Sequence, residues 1–229
     1  MGGSGLRHGT GVAVFSDADY FVSLKGERPT QTTALNRVKD ALQDRYPNTT
    51  IQIRRPAVVC KFANGTETVE VVPAYRADSG YWIPDPTGDW MKSYPKDHND
   101  YVNDVNRKHP GNVKKLIRLA KTWKYKRNVP VSSCYLEMRA AKYLDGESYV
   151  DMIQDVYYCL KHLENVQLAS LNDPTGLGSR FNAYSSEANK QDALSKLSTA
   201  VSRANNAREY ARSGRDGAAI EQLKLLFNQ

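Results

Sequence analysis

No uninterrupted apolar run in this 229-residue chain approaches the roughly 18 residues that a bilayer-crossing helix requires, so a spanning helix is excluded and no membrane partner is expected. The opening stretch MGGSGLRHGT also lacks the apolar segment of a secretory signal, which makes the cytoplasm the expected compartment. Cysteine is scarce. Cys60, Cys134 and Cys159 are odd in number and far apart, with no CxxC, which excludes a disulfide framework and gives no zinc-site spacing. The four histidines, His8, His98, His109 and His162, show no ligand spacing either. Internal repeats and low-complexity tracts are absent, so the chain is neither a solenoid nor a disordered tail.

What is present is positive charge. The net charge is +7 and the pI about 9.2, which favours a polyanionic ligand, either nucleic acid or nucleotide phosphates. Charge alone leaves both open. The first half of the chain carries strand signals. An alternating piece beginning near Asp17 and running to Leu24 predicts a strand, and Pro29 to Arg45 predicts a helix with Ala34, Leu35, Val38 and Leu42 on one face. Strands are expected at Thr50 to Arg54, Ala57 to Phe62 and Thr66 to Val72, with Asn64-Gly65 as a hairpin turn. From Ala74 to Pro110 the density of Pro, Gly, Asp, Tyr and Trp reads as a long ordered loop with one short helix near Asn99 to Arg107. Helical spacing then takes over at Asn112 to Tyr125, Ser133 to Leu144, Ser148 to Asn165, Ser186 to Ser213 and Ala218 to Phe227. Two lobes are therefore expected, an α/β lobe over residues 1–110 and an all-helical lobe over 111–229.

Asp17 and Asp19 stand two apart on the first expected strand, so their carboxylates point to one face. Two hard oxygen donors on a rigid surface suit Mg²⁺, which can orient a triphosphate and activate an attacking hydroxyl. Glu70 sits inside the apolar run Thr68-Val69-Glu70-Val71-Val72, where an unpaired charge is costly, and is the expected third carboxylate. Alone, Asp-x-Asp also describes a solvated strand edge. The glycine-rich stretch ahead of it, with Gly3, Ser4, Gly5, Gly9 and Thr10, can bring backbone amides and a hydroxyl close to phosphate oxygens, or can simply be an unstructured start. The run Lys114 to Arg127 likewise has three readings: a solvated cationic helix face, a phosphate clamp, or a nucleic-acid surface.

Taken together, GGSGLRHGT, SDADYFVSL and VEVVPAY resemble the Gly-Ser, Asp-x-Asp and third-carboxylate motifs of the polymerase β-like nucleotidyltransferases. More narrowly they resemble the group that contains oligoadenylate synthetase, cyclic GMP-AMP synthase and the bacterial CD-NTases of antiphage signalling. Lys115 to Trp123, Val131 to Glu137 and Leu171 to Gly176 are similar to the helix, the Ser-Ser segment and the late Asp-Pro turn of that group's second lobe, so the resemblance spans most of the chain.

The fold implied is α+β, a polymerase β-like lobe with a mixed sheet plus an all-helical second lobe. The activity implied is the joining of ATP, GTP or other NTPs into cyclic or linear oligonucleotides with pyrophosphate release, dependent on Mg²⁺ or Mn²⁺. By the same resemblance Asp17, Asp19 and Glu70 bind metal and do the chemistry, Gly3, Ser4 and Thr10 hold the nucleotide, and Lys121 and Ser133 reach the phosphates from the second lobe. A regulatory protein partner is compatible with it, and a nucleic-acid activator is not favoured. Two other readings stay open: a nucleotidyltransferase that modifies tRNA or protein, and an inactive nucleotide-binding sensor.

The chain departs from the pattern in four places. The third carboxylate is commonly Asp, where this sequence has Glu70. Between Ser4 and Gly9 there are four residues where the family usually has three, and Ser4 rather than Gly5 is taken as the phosphate-contacting position because it supplies a hydroxyl. Cys134 stands where cyclic GMP-AMP synthase places a base-stacking aromatic, which leaves Tyr81 or Tyr135 for that role. The family's long helix and strand ahead of the Gly-Ser motif have no counterpart before Gly2, and without that strand the catalytic strand is expected to have an exposed edge.

Overall fold

The computed structural model of the chain describes residues 9–12 and 18–229, which form two compact units, one ending at Asn99 and the other starting at Asp100. The first is built on a six-stranded sheet. Its strands are β1 (Ala18–Ser23), β2 (Thr50–Arg54), β3 (Ala57–Phe62), β4 (Glu67–Arg76), β5 (Tyr81–Pro84) and β6 (Trp90–Ser93), with helix α1 (Gln31–Arg45) between β1 and β2. Pairing runs β2-β3-β4-β5-β6, all antiparallel, and β1 joins β4 in parallel, which makes the sheet mixed as expected.

Helix α1 begins where Thr30 accepts a hydrogen bond from the Thr33 amide at 3.2 Å, satisfying one of the first-turn donors. Its buried Leu35 and Val38 pack on Ile51, Val58, Cys60 and Val71, and Cys60 is desolvated enough that its thiol pKa is raised. These sheet residues share one face by register, since Ile51 opposes Cys60 and Val58 opposes Val71. The opposite face carries a smaller apolar group, Ala57, Val72, Ala74 and Ile83, with Phe21 and Met91 against it.

Two expectations for this unit need correcting. The turn before β4 is wider than a two-residue hairpin, because Ala63, Asn64 and Gly65 all adopt left-handed backbone with φ of 46°, 57° and 89°. The segment from Ala74 to Pro110 is not a long loop. Strand β4 continues to Arg76, a hairpin follows, and a 14-residue helix, α2 (Pro95–Lys108), begins soon after. Proline and glycine density masked these elements because both mark their ends. Gly80 has φ +70°, and a Cβ there would meet the Ser93 carbonyl at 2.5 Å, so glycine is required where the hairpin opens. The β5–β6 turn closes through the Asp85 amide on the Asp89 carbonyl at 2.6 Å, while the Asp85 carboxylate takes the Thr87 amide at 2.7 Å.

The second unit is helical: the end of α2, then α3 (Asn112–Lys126), α4 (Ser133–Asp145), α5 (Met152–Asn165), α6 (Glu187–Arg212) and α7 (Asp216–Phe227). The division between units falls within α2 rather than near residue 110, because Val102 and Val105 belong to the helical core with Leu116, Ile117, Trp123 and Leu136. Ser132, Asp151 and Ser186 cap α4, α5 and α6 with side-chain oxygens on the amides of Tyr135, Ile153 and Asn189.

Leu35 is 1% exposed between α1 and the sheet, so Leu35→Ala is expected to destabilise the protein by about 2–5 kcal/mol. Denaturant unfolding followed in both units would show the loss in the first unit. A cost below about 1 kcal/mol would mean that α1 does not cover this face.

Candidate active site

Strand β1 places the expected catalytic residues. It lies parallel to β4 with Asp19 opposite Glu70, flanked by Ala18 opposite Val69 and Tyr20 opposite Val71. The line continues across the sheet to Val59 of β3 and Gln52 of β2. Because Val69 and Val71 turn toward α1, Glu70 and its partner Asp19 belong to the opposite face, beside Val72 and Phe21. That alternation accounts for a carboxylate in the middle of an apolar strand. One face of β4 is core, and the residue between two core positions is free to carry chemistry.

The Glu70 carboxylate is held by Arg54, the last residue of β2, through Nη2 on Oε1. Arg54 is 63% exposed on its side chain and Glu70 is 20% exposed, so this is a surface ion pair of modest strength, at most about 1 kcal/mol. Its geometric effect is larger than its energy. Arg54 fixes Glu70 while leaving a counter-ion that a more highly charged cation can displace. Asp17 lies outside the described residues, as do Gly3 and Ser4. Among the described residues no group of three or more His, Cys, Asp or Glu could hold a metal ion, so what is described of the cluster is the pair Asp19 and Glu70.

The remaining expected residues fall into different surroundings. Thr10 is fully buried, which shuts its hydroxyl off from solvent. In the helical unit Lys121 does not present its ammonium for phosphate binding. It is buried with Glu137 at 2.8 Å, the two side chains only 3% and 0% exposed, because a charge in that core needs a partner. Ser133, at the first position of α4, meets a different cation: Lys124 Nζ donates to its Oγ at 2.6 Å, with the Tyr125 hydroxyl at 3.2 Å. Lys124 was part of the basic run in the sequence, but helical spacing alone did not separate it from its neighbours. Tyr135 offers no stacking surface, since its ring is fully buried and its hydroxyl donates to the Ala169 carbonyl at 2.9 Å. Tyr81 is half-buried in β5. The Asp-Pro turn is anchored by Asp173, whose carboxylate accepts from the Thr175 amide at 2.9 Å, the Thr175 hydroxyl at 2.8 Å and the Gly178 amide at 2.7 Å.

With this geometry in place, comparison with known proteins is informative. Residues 6–106 match the family described as the Second Messenger Oligonucleotide or Dinucleotide Synthetase domain. That match contains β1, β4, Asp19 and Glu70. A probable cyclic nucleotide synthase of Bacillus cereus (strain VD146) is 26% identical over 222 residues, covering 92% of this chain and 67% of that protein. Over residues 6–106 the chain is thus similar to the second-messenger synthetase domain. Solved structures agree with that placement in fold. The ATP complex of CdnC from E. coli MS115-1 gives a TM-score of 0.76 at 17% identity, over 100% of this chain and 82% of that one. Vibrio cholerae DncV, a cyclic AMP-GMP synthase solved with the linear intermediate pppA(3',5')pG, gives 0.79 at 15% identity, over 99% and 68%. The CdnC:HORMA-deltaN complex gives 0.77 at 18% identity, over 99% and 81%. The chain therefore shares the α+β fold of these structures, with Asp19 and Glu70 on the two strands that pair in parallel.

The Lys121–Glu137 pair makes a stability prediction. Lys121→Met strands a buried carboxylate and is expected to cost about 3–5 kcal/mol in denaturant unfolding, while Lys121→Met with Glu137→Leu recovers most of it. A single change costing less than about 1 kcal/mol would show that the pair is solvated.

Proposed function

We propose that the chain joins nucleoside triphosphates into a cyclic oligonucleotide second messenger, with pyrophosphate as the other product. The observation that carries this reading is Asp19 held in register with Glu70 within the synthetase domain. A ribose hydroxyl oxygen of one nucleotide forms a bond to the α-phosphorus of another, the bond to the β-phosphate breaks, and pyrophosphate leaves. A second such step closes the ring, in line with the linear intermediate held by DncV.

The donor set fits a hard divalent cation: carboxylate oxygens on adjacent strands, with a displaceable arginine as present counter-ion. We assign Mg²⁺, held by Asp19 and Glu70, with Asp17, which lies outside the described residues, as the further ligand that the Asp-x-Asp resemblance implies. Bound there, it neutralises phosphate charge and lowers the pKa of the attacking hydroxyl. Glu70 is the group we assign to receive the hydroxyl proton, and Asp19 fixes the position of the triphosphate. In the helical unit Ser133, with Lys124 on its hydroxyl, is the assigned phosphate donor pair; Lys121 holds α3 to α4. NTP substrates place the action in the cytoplasm, and bacterial antiphage signalling is its setting in this reading. The CdnC:HORMA-deltaN complex supports a regulatory protein partner of comparable kind.

Incubating the full chain with Mg²⁺ and labelled NTPs tests the assignment. Soluble, phosphatase-resistant product is expected, and Asp19→Asn should lower its formation at least about 100-fold, the scale on which removing a charge-stabilising group acts. Label transferred to tRNA or protein would support a modifying transferase instead, and no product with retained NTP binding would support a sensor. Arg54→Ala should tighten Mn²⁺ binding by about 2- to 5-fold in a calorimetric titration, since it removes a competing surface counter-ion. Unchanged or weaker Mn²⁺ binding would contradict the placement of the metal on Glu70.

A further inference from the structure

The link between β1 and α1 borders an open pocket of about 680 Å³ that the nucleotidyl transfer reading does not use. Lys25, Glu27, Arg28, Tyr75, Arg76 and Trp82 line it. Tyr75 is five residues along β4 from Glu70, about 17 Å, and because five is odd the two side chains stand on opposite faces of the sheet. The pocket is therefore separate from the acidic pair.

Its floor is fixed by packing. Tyr75 is buried and meets the Trp90 ring edge-on at 5.5 Å, while Trp82 stands opposite Tyr75 in the β4–β5 ladder. The link is pinned at both ends: the Leu24 amide donates to the Ala74 carbonyl at 2.8 Å, and Trp90 Nε1 donates to the Pro29 carbonyl at 3.1 Å. Arg28, next to that second anchor, has its guanidinium carbon 4.3 Å from the Trp82 ring centroid and 5.5 Å from that of Trp90. Lys92 Nζ lies 5.4 Å from the Trp82 centroid. Contact with the indoles holds the guanidinium by its face and leaves its N–H edge for an acceptor.

The protein supplies no such acceptor. Among the described residues Lys25, Arg28 and Arg76 make no hydrogen bond and no ion pair through their side chains, exposed Glu27 included. Elsewhere cations on the surface are paired, as Lys108 is with Asp145, Lys196 with Asp192 and Lys224 with Glu221. Three cations against one carboxylate repel one another and draw in an anion of several charges. An arginine edge beside an ammonium matches phosphate oxygens, which accept two parallel N–H bonds from a guanidinium.

We propose that this pocket binds a diphosphate group, either free or as the tail of a nucleotide, with Arg28 as its bidentate donor and Lys25 beside it. No bond is made or broken there, and the site is independent of the acidic pair on β1 and β4.

Calorimetric titration of ADP and of inorganic pyrophosphate into the full chain in EDTA tests this, because chelation removes the cation that Asp19 and Glu70 would hold. Saturable one-to-one binding is expected, weakened at least about tenfold by Arg28→Ala and several-fold by Lys25→Ala. Arg28→Lys keeps the charge and loses the fork, so it should restore only part of the affinity. Tighter binding of ADP assigns the site to a nucleotide, and equal or tighter binding of pyrophosphate assigns it to the free diphosphate. Both side chains are exposed, so the variants should melt with the parent. Absence of saturable binding by either ligand, or affinity unchanged in both alanine variants, would overturn the proposal. So would displacement of the ligand by an equal concentration of sulfate, the mark of an unspecific cationic patch.

Discussion

The parallel pairing of β1 with β4 is the constraint on which the first unit depends. It sets Asp19 against Glu70, and it does so only because Val69 and Val71 of the same strand are committed to the α1 face. A slip of one residue would turn both valines to the acidic side and bury the glutamate under α1, at the cost of several kcal/mol for an unpaired buried charge. The apolar packing of Leu35 and Val38 on the sheet is therefore also what aims the carboxylates.

Positive and negative charge are handled differently in the two units. On the sheet, Glu70 keeps an exposed arginine as counter-ion, an arrangement that exchanges readily. Among the helices, Lys121 and Glu137 are sealed together, which rigidifies the α3–α4 contact and takes that lysine out of the solvent-facing basic run. The cation left beside Ser133 is Lys124, one helical turn further on.

Much of this was legible in the sequence, for physical reasons. Period-two alternation exposed Glu70 as the anomaly in β4, and period-3.6 spacing found α1 and the long helices of the second unit, whose caps at Ser132, Asp151 and Ser186 lie at or close to their expected starts. The β5–β6 hairpin was not legible, because its strands are four residues each and its turn residues look like loop composition. Pairings between distant residues were hidden too: nothing local to Lys121 announces Glu137, and nothing local to Glu70 announces Arg54. Tyr135, next to the Cys134 that occupies the base-stacking position, was a substitute candidate for that role, yet the inward face of α4 claims its ring for the core.

The central claim is that Asp19 and Glu70 form one side of a divalent-cation cage. A crystal structure of the full chain grown with Mn²⁺ and a non-hydrolysable NTP, read by the anomalous signal of manganese, tests it most directly. The account predicts manganese bonded to Asp19 and Glu70, with Arg54 released from the glutamate. Manganese bound elsewhere, with Arg54 still on Glu70, would contradict it.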